Sequence, residues 1–160
     1  MVAAAKMKQD VARLERAKTF GVGTLQRVIN NETYLAKKKA NFNAKKYLLV
    51  PITSDKGLCG GVNSSVIREV KAMVKADRSA YKLFVVGDKG SVALSRPMAD
   101  LLDSAITHVV TPMNFPTGTS FPYSAASIAY QAIEHAKDCD RVILLYNEFK
   151  NVISQIQRKV

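Results

Sequence analysis

Residues 47–65 read YLLVPIT, then SDKGLCGG, then VNSS, and this succession decides the fold class. The first seven residues form a short, continuous apolar run, which is typical of a strand buried on both faces of a parallel sheet. Pro51 marks the place where that strand ends or bends. Three glycines follow within eight residues, and Asn63 with the two serines after it offers N-cap oxygens for a helix. The pattern therefore predicts a strand, a tight turn and a helix.

The alternation of strand and helix continues towards the C-terminus. It predicts an α/β fold with a mainly parallel, Rossmann-like sheet, flanking helices and a C-terminal antiparallel hairpin. The helix that follows the glycine turn would bury Val66, Val70, Met73 and Val74. The last helix would bury Ile128, Ala129, Ala132, Ile133 and Ala136. The remaining predicted elements are strands at 82–87, 105–110, 141–147 and 152–157, helices at 88–95 and 123–137, and a turn at 147–151.

Residues 1–30 form a predicted helix with a coiled-coil seam, which makes it one half of a coiled coil. Its small and apolar residues recur in alternating steps of three and four if Lys18 fills one place, which is the spacing of a helix that packs along a partner helix. Because alanine and glycine fill several places, a partner helix would approach closely. A lone helix of this composition would be marginal, so it should gain stability by packing. The seam residues are Ala4, Met7, Val11 and Leu14, continued by Gly21, Leu25 and Val28.

The charge of the chain is strongly basic and is concentrated near the N-terminus. The chain has 160 residues and a formal net charge of +11, and residues 1–47 contain 11 Lys and Arg against 3 Asp and Glu. Such a segment favours an acidic partner, which could be nucleic acid, anionic lipid or the carboxylates of another protein. The change in composition predicts a coiled-coil helix with a basic connection over 1–46 and a globular α/β domain over 47–160.

Several kinds of chemistry lack the residues that they need. Cys59 and Cys139 are too few for a structural zinc site, and we interpret them as reduced thiols. The glycines of the turn do not space as G-x-G-x-x-G, and no G-K-[ST] is present to hold nucleotide phosphates. His108 lies in an apolar run and is interpreted as packed, and no apolar run is long enough to span a membrane. The residues alone leave a structural or binding module, with nucleic-acid binding and a dinucleotide-dependent enzyme as alternatives.

Three segments, in their order and spacing, resemble the gamma subunit of the rotary ATP synthase. Residues 1–7, MVAAAKM, resemble the N-terminal helix motif of that family, and residues 146–154, YNEFKNVIS, resemble its closing motif N-x-F-x-S/N-V-I-S. Residues 54–63, SDKGLCGGVN, resemble its signature S-D-[RK]-G-L-C-G-x-x-N. The signature residues here are Asp55, Gly57, Cys59, Gly60 and Asn63. Against the family pattern, the start of the first helix and the long C-terminal helix are missing, so we expect a truncated chain.

The resemblance implies a rotor that transmits rotation between the membrane c ring and the catalytic ring of alpha and beta subunits. The family's coiled coil stands inside that ring, and its α/β domain lies near the c ring and a small epsilon- or delta-type stalk subunit. The resemblance implies no catalytic residue, cofactor or metal of the chain's own and no nucleic-acid partner. The expected location is the matrix face of the mitochondrial inner membrane, with the cytoplasmic face of a bacterial plasma membrane as the alternative.

The resemblance also suggests which residues contact the neighbouring subunits. Scattered cations on the first helix would face acidic loops of the ring through screened attraction, which avoids strong specific locks in a turning shaft. The lower end of that helix and the basic connection would form a foot on the c ring. The expected ring contacts are Lys6, Lys8, Arg13, Arg16 and Lys18, and the expected foot residues are Leu25, Lys37, Lys38 and Lys39.

Overall fold

The computed structural model describes residues 2–29, 44–55, 57, 60–106, 120–151 and 154–160. The chain divides into two compact units, Met1–Asn43 and Ala44–Val160. The predicted division between residues 46 and 47 stays a prediction, because compactness does not test whether either part folds on its own. Cys59 and His108 lie outside the described residues.

The first unit contains helix α1, Val2–Ile29. At about 1.5 Å per residue, a helix of this length spans about 42 Å. Its half-buried positions include Val11, Leu14 and Gly21, and Met7 is 41% exposed. These positions lie three, four or seven residues apart, which is the spacing of the predicted seam.

The second unit is an α/β sheet structure. Its elements are β1 (Tyr47–Pro51), α2 (Val62–Ala76), a 3-10 turn (Arg78–Ala80), β2 (Tyr81–Val86), α3 (Asp88–Ser95), β3 (Leu102–Ile106), α4 (Ser120–His135), β4 (Arg141–Phe149) and β5 (Gln155–Lys159). The strand order is β3-β2-β1-β4-β5. The first four strands pair in parallel, and β5 pairs antiparallel with β4. The predicted fold class, with its C-terminal hairpin, is confirmed.

The central strand β1 separates two hydrophobic layers, because its side chains alternate between the two faces of the sheet. Leu49 packs in the layer formed with α2 and α3, whose buried members include Val70 and Leu94. Leu48 lies in the opposite layer, with Phe84 of β2 and other residues against α4. Burial of each of these large side chains contributes about 1.5–3 kcal/mol. The continuous apolar run of β1 is thus explained by burial on both faces.

The C-terminal hairpin lies two to three residues later in the chain than predicted. Asn147 and Glu148 stay in the ladder of β4, paired with Gln157 and Ile156, rather than forming the turn. Glu148 also accepts a hydrogen bond from Arg158 at 2.6 Å, which favours the extended pairing. The turn instead closes where the N–H of Lys150 and its successor bond to the Ser154 carbonyl oxygen. All five residues of β5 are exposed.

Two more element predictions differ from the structure. In α4 and the turn that follows it, the buried side follows steps of four through Ile128, Ala132 and Ala136, whereas Ala129 is exposed and Ile133 is 63% exposed. Ala129 and Ile133 each come one residue after a position on the buried side, so their side chains lie on the flank of the helix. The third strand, Leu102–Ile106, begins three residues before the predicted start at 105, because polar residues interrupt the apolar pattern there; residues 107–110 lie outside the described part.

Candidate functional site: the strand-to-helix turn

The signature turn lies where the carboxyl ends of β1, β2 and β4 meet. The chain continues from β1 through Ile52, whose N–H donates to the Leu145 carbonyl oxygen of β4 at 2.8 Å. Ile52 also forms an isolated parallel bridge with Val86 at the end of β2. In open α/β sheets this end of the strands is the usual ligand position. The local geometry therefore decides whether the turn is a binding site or a structural joint.

Thr53 joins β1 to both β2 and α3. It is 5% exposed, and its backbone N–H donates to the Val86 carbonyl oxygen at 2.8 Å. Its Oγ1 hydroxyl donates to the same carbonyl oxygen at 2.9 Å and accepts the Gly90 N–H at 2.9 Å. One buried hydroxyl thus satisfies a helix N–H and a strand carbonyl, groups that are costly to leave unpaired inside a protein.

Two glycines outside the signature make this close approach possible. Gly87 has φ +99° and ψ 144°, a backbone conformation that is essentially restricted to glycine. A Cβ there would lie 2.2 Å from the Thr53 carbonyl oxygen. A Cβ on Gly90 would lie 2.6 Å from the Thr53 Oγ1. The absence of side chains at both positions lets α3 begin directly against the end of β1.

The polar residues of the signature complete the joint. The Ser54 N–H donates to Asn63 Oδ1 at 2.9 Å, and Asn63 Nδ2 donates to Ser54 Oγ at 2.8 Å. Asp55 Oδ1 accepts the N–H of Asp88 at 3.0 Å, so this carboxylate caps α3 rather than the helix that follows it in the chain. The negative charge of Asp55 also suits a helix N-terminus.

The prediction that Asn63, Ser64 or Ser65 caps α2 is wrong. The N-cap of α2 is Gly61, with no side-chain cap hydrogen bond, and the helix begins at Val62. Asn63 is 9% exposed and is directed back to Ser54, which removes its oxygen from the capping role. Ser64 and Ser65 instead donate to backbone carbonyl oxygens three residues earlier, a local bond that Ser readily forms inside a helix.

Asn147 extends the hydrogen-bond network of the joint to β4. Neither Asn147 nor Thr53 was identified from the sequence as part of this site. The Asn147 Nδ2 donates to the Val62 carbonyl oxygen at 2.6 Å and to Ser65 Oγ at 3.1 Å. The sequence contains one signal for it, a polar residue at the end of an apolar strand, but that signal is equally typical of a turn.

The described signature atoms are thus used to join strand ends to helix starts. Asp55 and Asn63 each bond across the joint, and Gly60, at φ +59°, provides the reversal before α2. Gly57 is exposed, and a Cβ built on it would lie 3.7 Å from the Lys89 side chain; Cys59 lies outside the described residues. Among the described residues, no three His, Cys, Asp or Glu side chains are grouped to hold a metal ion. We interpret the turn as a structural joint.

A second polar cluster lies at the opposite end of the sheet. Lys82 Nζ donates to Asp138 Oδ1 and to the His135 carbonyl oxygen, both at 3.1 Å, and lies 3.3 Å from Asp103 Oδ2. The His135 ring also contacts Asp103 and packs 5.2 Å from the Phe84 ring. Burial lowers the pKa of Lys82, but its bonds to the two carboxylates outweigh that effect and raise the pKa on balance.

Three carboxylates of this unit make it sensitive to acid. Hydrogen bonds hold the pKa of each below its ordinary range: from Arg78 to Asp100, from Lys82 to Asp138, and from two backbone N–H groups to Asp140. Because a lowered folded-state pKa stabilises the protein above the unfolded value, this stability is lost as the pH falls below about 4. We expect the urea midpoint to be lower at about pH 3 than at about pH 5, by an amount that solvent screening of these exposed groups keeps small.

The variant Asp100→Asn tests the cause of that acid sensitivity. It removes one proton-binding difference between the folded and unfolded states, so its stability should depend less steeply on pH. Lys71→Gln, an exposed charge change on α2, is the control and should keep the original slope. Equal slopes for Asp100→Asn and the unmodified protein would contradict the assignment.

The predicted contact residues on α1 fall into distinct groups. Arg13 Nη1 pairs with Asp10 at 3.3 Å and Lys18 Nζ pairs with Glu15 at 3.2 Å, both within the helix. Lys8 and Arg16 are exposed and, within the described part of the chain, form no ion pair. Three sets of predicted residues lie outside the described side chains: the seam residue Ala4, the ring contact Lys6, and the foot residues Leu25, Lys37, Lys38 and Lys39.

The fold and the joint define the class of protein: a chain with an α/β unit built around a structural strand-to-helix turn and a separate unit that contains a long helix. The whole chain, residues 1–160, matches the family model described as ATP synthase. The chain belongs to the ATP synthase gamma-chain family. It is 32% identical over 154 residues to the mitochondrial ATP synthase gamma subunit of Drosophila melanogaster, covering 96% of this chain and 48% of that protein.

Solved structures agree with this assignment. A chain in the central stalk and c-ring structure of Tetrahymena thermophila mitochondrial ATP synthase is 48% identical, with a TM-score of 0.82, and the match covers 100% of this chain and 68% of that one. A rotor chain of Euglena gracilis mitochondrial ATP synthase, at 21% identity and a TM-score of 0.70 over 100% of this chain and 53% of that one, shares the fold.

The chain spans about half the length of the curated relatives it matches, 48% of the Drosophila protein. Among the described helices, none is both long and apolar enough to cross a membrane.

Proposed function

We propose that the protein is the central-stalk rotor subunit of an ATP synthase, transmitting rotation between a membrane c ring and a catalytic ring of alpha and beta subunits. The observation that carries the proposal is the match of the whole chain to a central-stalk chain at 48% identity and a TM-score of 0.82. In this role the protein couples proton translocation to ATP synthesis and also contacts a small epsilon- or delta-type stalk subunit.

The subunit has no catalytic activity of its own in this proposal. The glycine-rich strand-to-helix turn uses its described side chains for the joint between β1, β2 and α3. Its glycines space differently from the nucleotide-binding patterns, in which glycines permit close backbone approach to phosphates. Nucleotide binding and hydrolysis would then belong to the alpha and beta subunits.

Helix α1 would form one of the two strands of a shaft. Its 28 residues provide a stiff element of about 42 Å, and a two-helix coil resists bending better than a loop. The seam of Ala4, Met7, Val11 and Leu14 would pack against a second helix. Its small residues support close packing of the two helices.

Screened attraction would hold the shaft inside the ring. Lys8 and Arg16 are the strongest candidates for this role, because Arg13 and Lys18 already share their charge with acidic neighbours on the helix. Each exposed pair contributes at most about 1 kcal/mol, so the shaft can pass from one subunit to the next. Lys6 would extend the same surface, and Leu25 with Lys37, Lys38 and Lys39 would form the foot on the c ring.

The matrix face of a mitochondrial inner membrane is the proposed location. The 48% identity to a mitochondrial central-stalk chain of Tetrahymena thermophila supports it, together with the mitochondrial relative from Drosophila melanogaster.

Co-expression with alpha and beta subunits tests the role. We expect the full-length protein to be captured stoichiometrically by the hexamer, to rotate in it when ATP is hydrolysed, and to hydrolyse no ATP alone. The double variant Lys8→Gln/Arg16→Gln should weaken capture at low salt by roughly fivefold to tenfold, consistent with about 1 kcal/mol or less per exposed pair.

The matched control is Arg13→Gln/Lys18→Gln, which removes the same charge from cations that are paired within α1. It should weaken capture less. Equal losses in both double variants would overturn the assignment of Lys8 and Arg16 as ring contacts. Failure of the unmodified protein to enter the hexamer would overturn the rotor function itself.

A further inference from the structure

The start of the central strand is held by a single carboxylate from a distant part of the chain. Asp140 Oδ2 accepts the backbone N–H of Lys45 at 2.8 Å and that of Lys46 at 2.9 Å. The Lys46 carbonyl oxygen in turn accepts the Asp140 N–H at 2.9 Å and the Arg141 N–H at 3.3 Å. The two residues that precede β1 are therefore bonded to the residues at which β4 begins.

This arrangement, the Asp140 clamp, continues the pairing of β1 and β4 beyond the sheet. The parallel register places Tyr47 opposite Arg141, so the clamp occupies the next step towards the amino ends of both strands. The Tyr47 hydroxyl donates to the Ala44 carbonyl oxygen at 2.8 Å, which fixes the preceding residue as well. Hydrogen bonds to an ionised acceptor are shorter and stronger than neutral ones.

The clamp lies where the chain passes from one compact unit into the other. Ala44 is the first residue of the second unit, and β1 is the central strand of its sheet. Any load carried along the chain from the helical unit reaches the sheet through Lys45 and Lys46. The clamp adds a bond to the start of β4 at this point of entry, ahead of the ladder that pairs β1 with β4. Without it, the Lys46 carbonyl oxygen would keep its two bonds, but the N–H groups of Lys45 and Lys46 would lose their carboxylate acceptor.

We propose that Asp140 is a positioning residue for torque transmission, which holds the chain rigid where it enters the α/β unit so that the load passes into two strands at once. The proposal rests on the proposed rotor function. Asp140 acts through the direction and stiffness of residues 44–46, two of whose N–H groups it holds. The lowered pKa of its carboxyl, caused by the N–H groups of Lys46 and Lys45, agrees with an ionised acceptor at neutral pH.

The test uses the complete enzyme, assembled with the full-length protein and embedded in inverted membrane vesicles. Asp140→Ala removes the acceptor, whereas Asp140→Asn keeps an amide oxygen in its place. We expect Asp140→Ala to lower the ratio of proton pumping to ATP hydrolysis, and Asp140→Asn to restore part of that ratio. Hydrogen exchange at the Lys45 and Lys46 amides should accelerate about fivefold in Asp140→Ala, because the clamp controls local opening.

The matched control is Asp77→Ala, which removes the same charge from a side chain whose hydrogen bonds to described residues go to the nearby Ser79, from its N–H at 3.2 Å and its hydroxyl at 2.8 Å. It should leave the coupling ratio unchanged. Faster exchange with an unchanged ratio in Asp140→Ala would reduce Asp140 to a structural residue and overturn the proposal. If the unmodified protein assembles with the hexamer but shows no ATP-driven rotation, the rotor function fails instead, and the two failures are therefore distinguishable.

Discussion

Gly87→Ala is expected to lower the free energy of unfolding of the α/β unit by about 3 kcal/mol or more, because two separate costs fall on one position. The backbone at φ +99° is strained for any residue with a Cβ, at about 1–3 kcal/mol. The new Cβ would also lie 2.2 Å from the Thr53 carbonyl oxygen and 2.6 Å from its carbonyl carbon. Since both atoms belong to the backbone, the strand end or the start of α3 must shift.

Gly60→Ala is the control for strain alone. Gly60 also has a positive φ, +59°, but a Cβ there would meet nothing within 4 Å. We expect a loss of about 1–2 kcal/mol, as for other residues forced into the left-handed region. Urea unfolding of the full-length proteins, followed by far-ultraviolet circular dichroism, gives both values. Equal losses in the two variants would show that the contact with Thr53 contributes nothing.

The sheet could be predicted because its strongest signals are local. The apolar run of β1 indicates burial on both faces whatever its neighbours are, and Leu48, Leu49 and Val50 are all at most 1% exposed. The apolar spacing in α2 likewise identified Val66 and Val70 as buried residues. Such patterns follow from the periods of the helix and the strand, which need no knowledge of tertiary contacts.

The errors arose where a distant residue decides the outcome. Asn63 is a good N-cap residue by type, but the Ser54 backbone competes for the same side chain. Asn147 is a typical turn residue by type, but in the structure it is paired with Gln157 in the ladder between β4 and β5. Ile133 would be buried only if α4 were rotated by about one residue on its sheet, and packing sets that rotation.

The site was only partly accessible from the sequence for the same reason. The signature glycines drew attention to residues 54–63, yet the glycine with the closest backbone contact is Gly87, at the end of a different strand. Asp140 carried no signal at all, since one carboxylate between a cysteine and an arginine has no distinctive pattern. Its role becomes visible only when the starts of β1 and β4 are side by side.

Thr53→Val is expected to destabilise the α/β unit by about 2 kcal/mol, although the two side chains have nearly the same shape. The Thr53 hydroxyl is the acceptor for the Gly90 N–H and a donor to the Val86 carbonyl oxygen, both at 2.9 Å. Valine fills the space without either bond, so a buried N–H at the start of α3 loses this acceptor. That loss costs more than an ordinary hydrogen bond contributes, because water cannot replace the acceptor at a position that is 5% exposed.

Thr53→Ser separates the hydroxyl from the methyl group. Serine keeps both hydrogen bonds and removes one methyl, so its expected cost is about 1 kcal/mol. Equilibrium unfolding in urea measures both variants, and hydrogen exchange at the Gly90 amide should accelerate only in Thr53→Val. A valine variant as stable as the serine variant would mean that packing, and not the hydroxyl, holds β1 against α3. If Thr53→Ser is instead the more stable of the two variants, the hydroxyl is the group on which the joint depends.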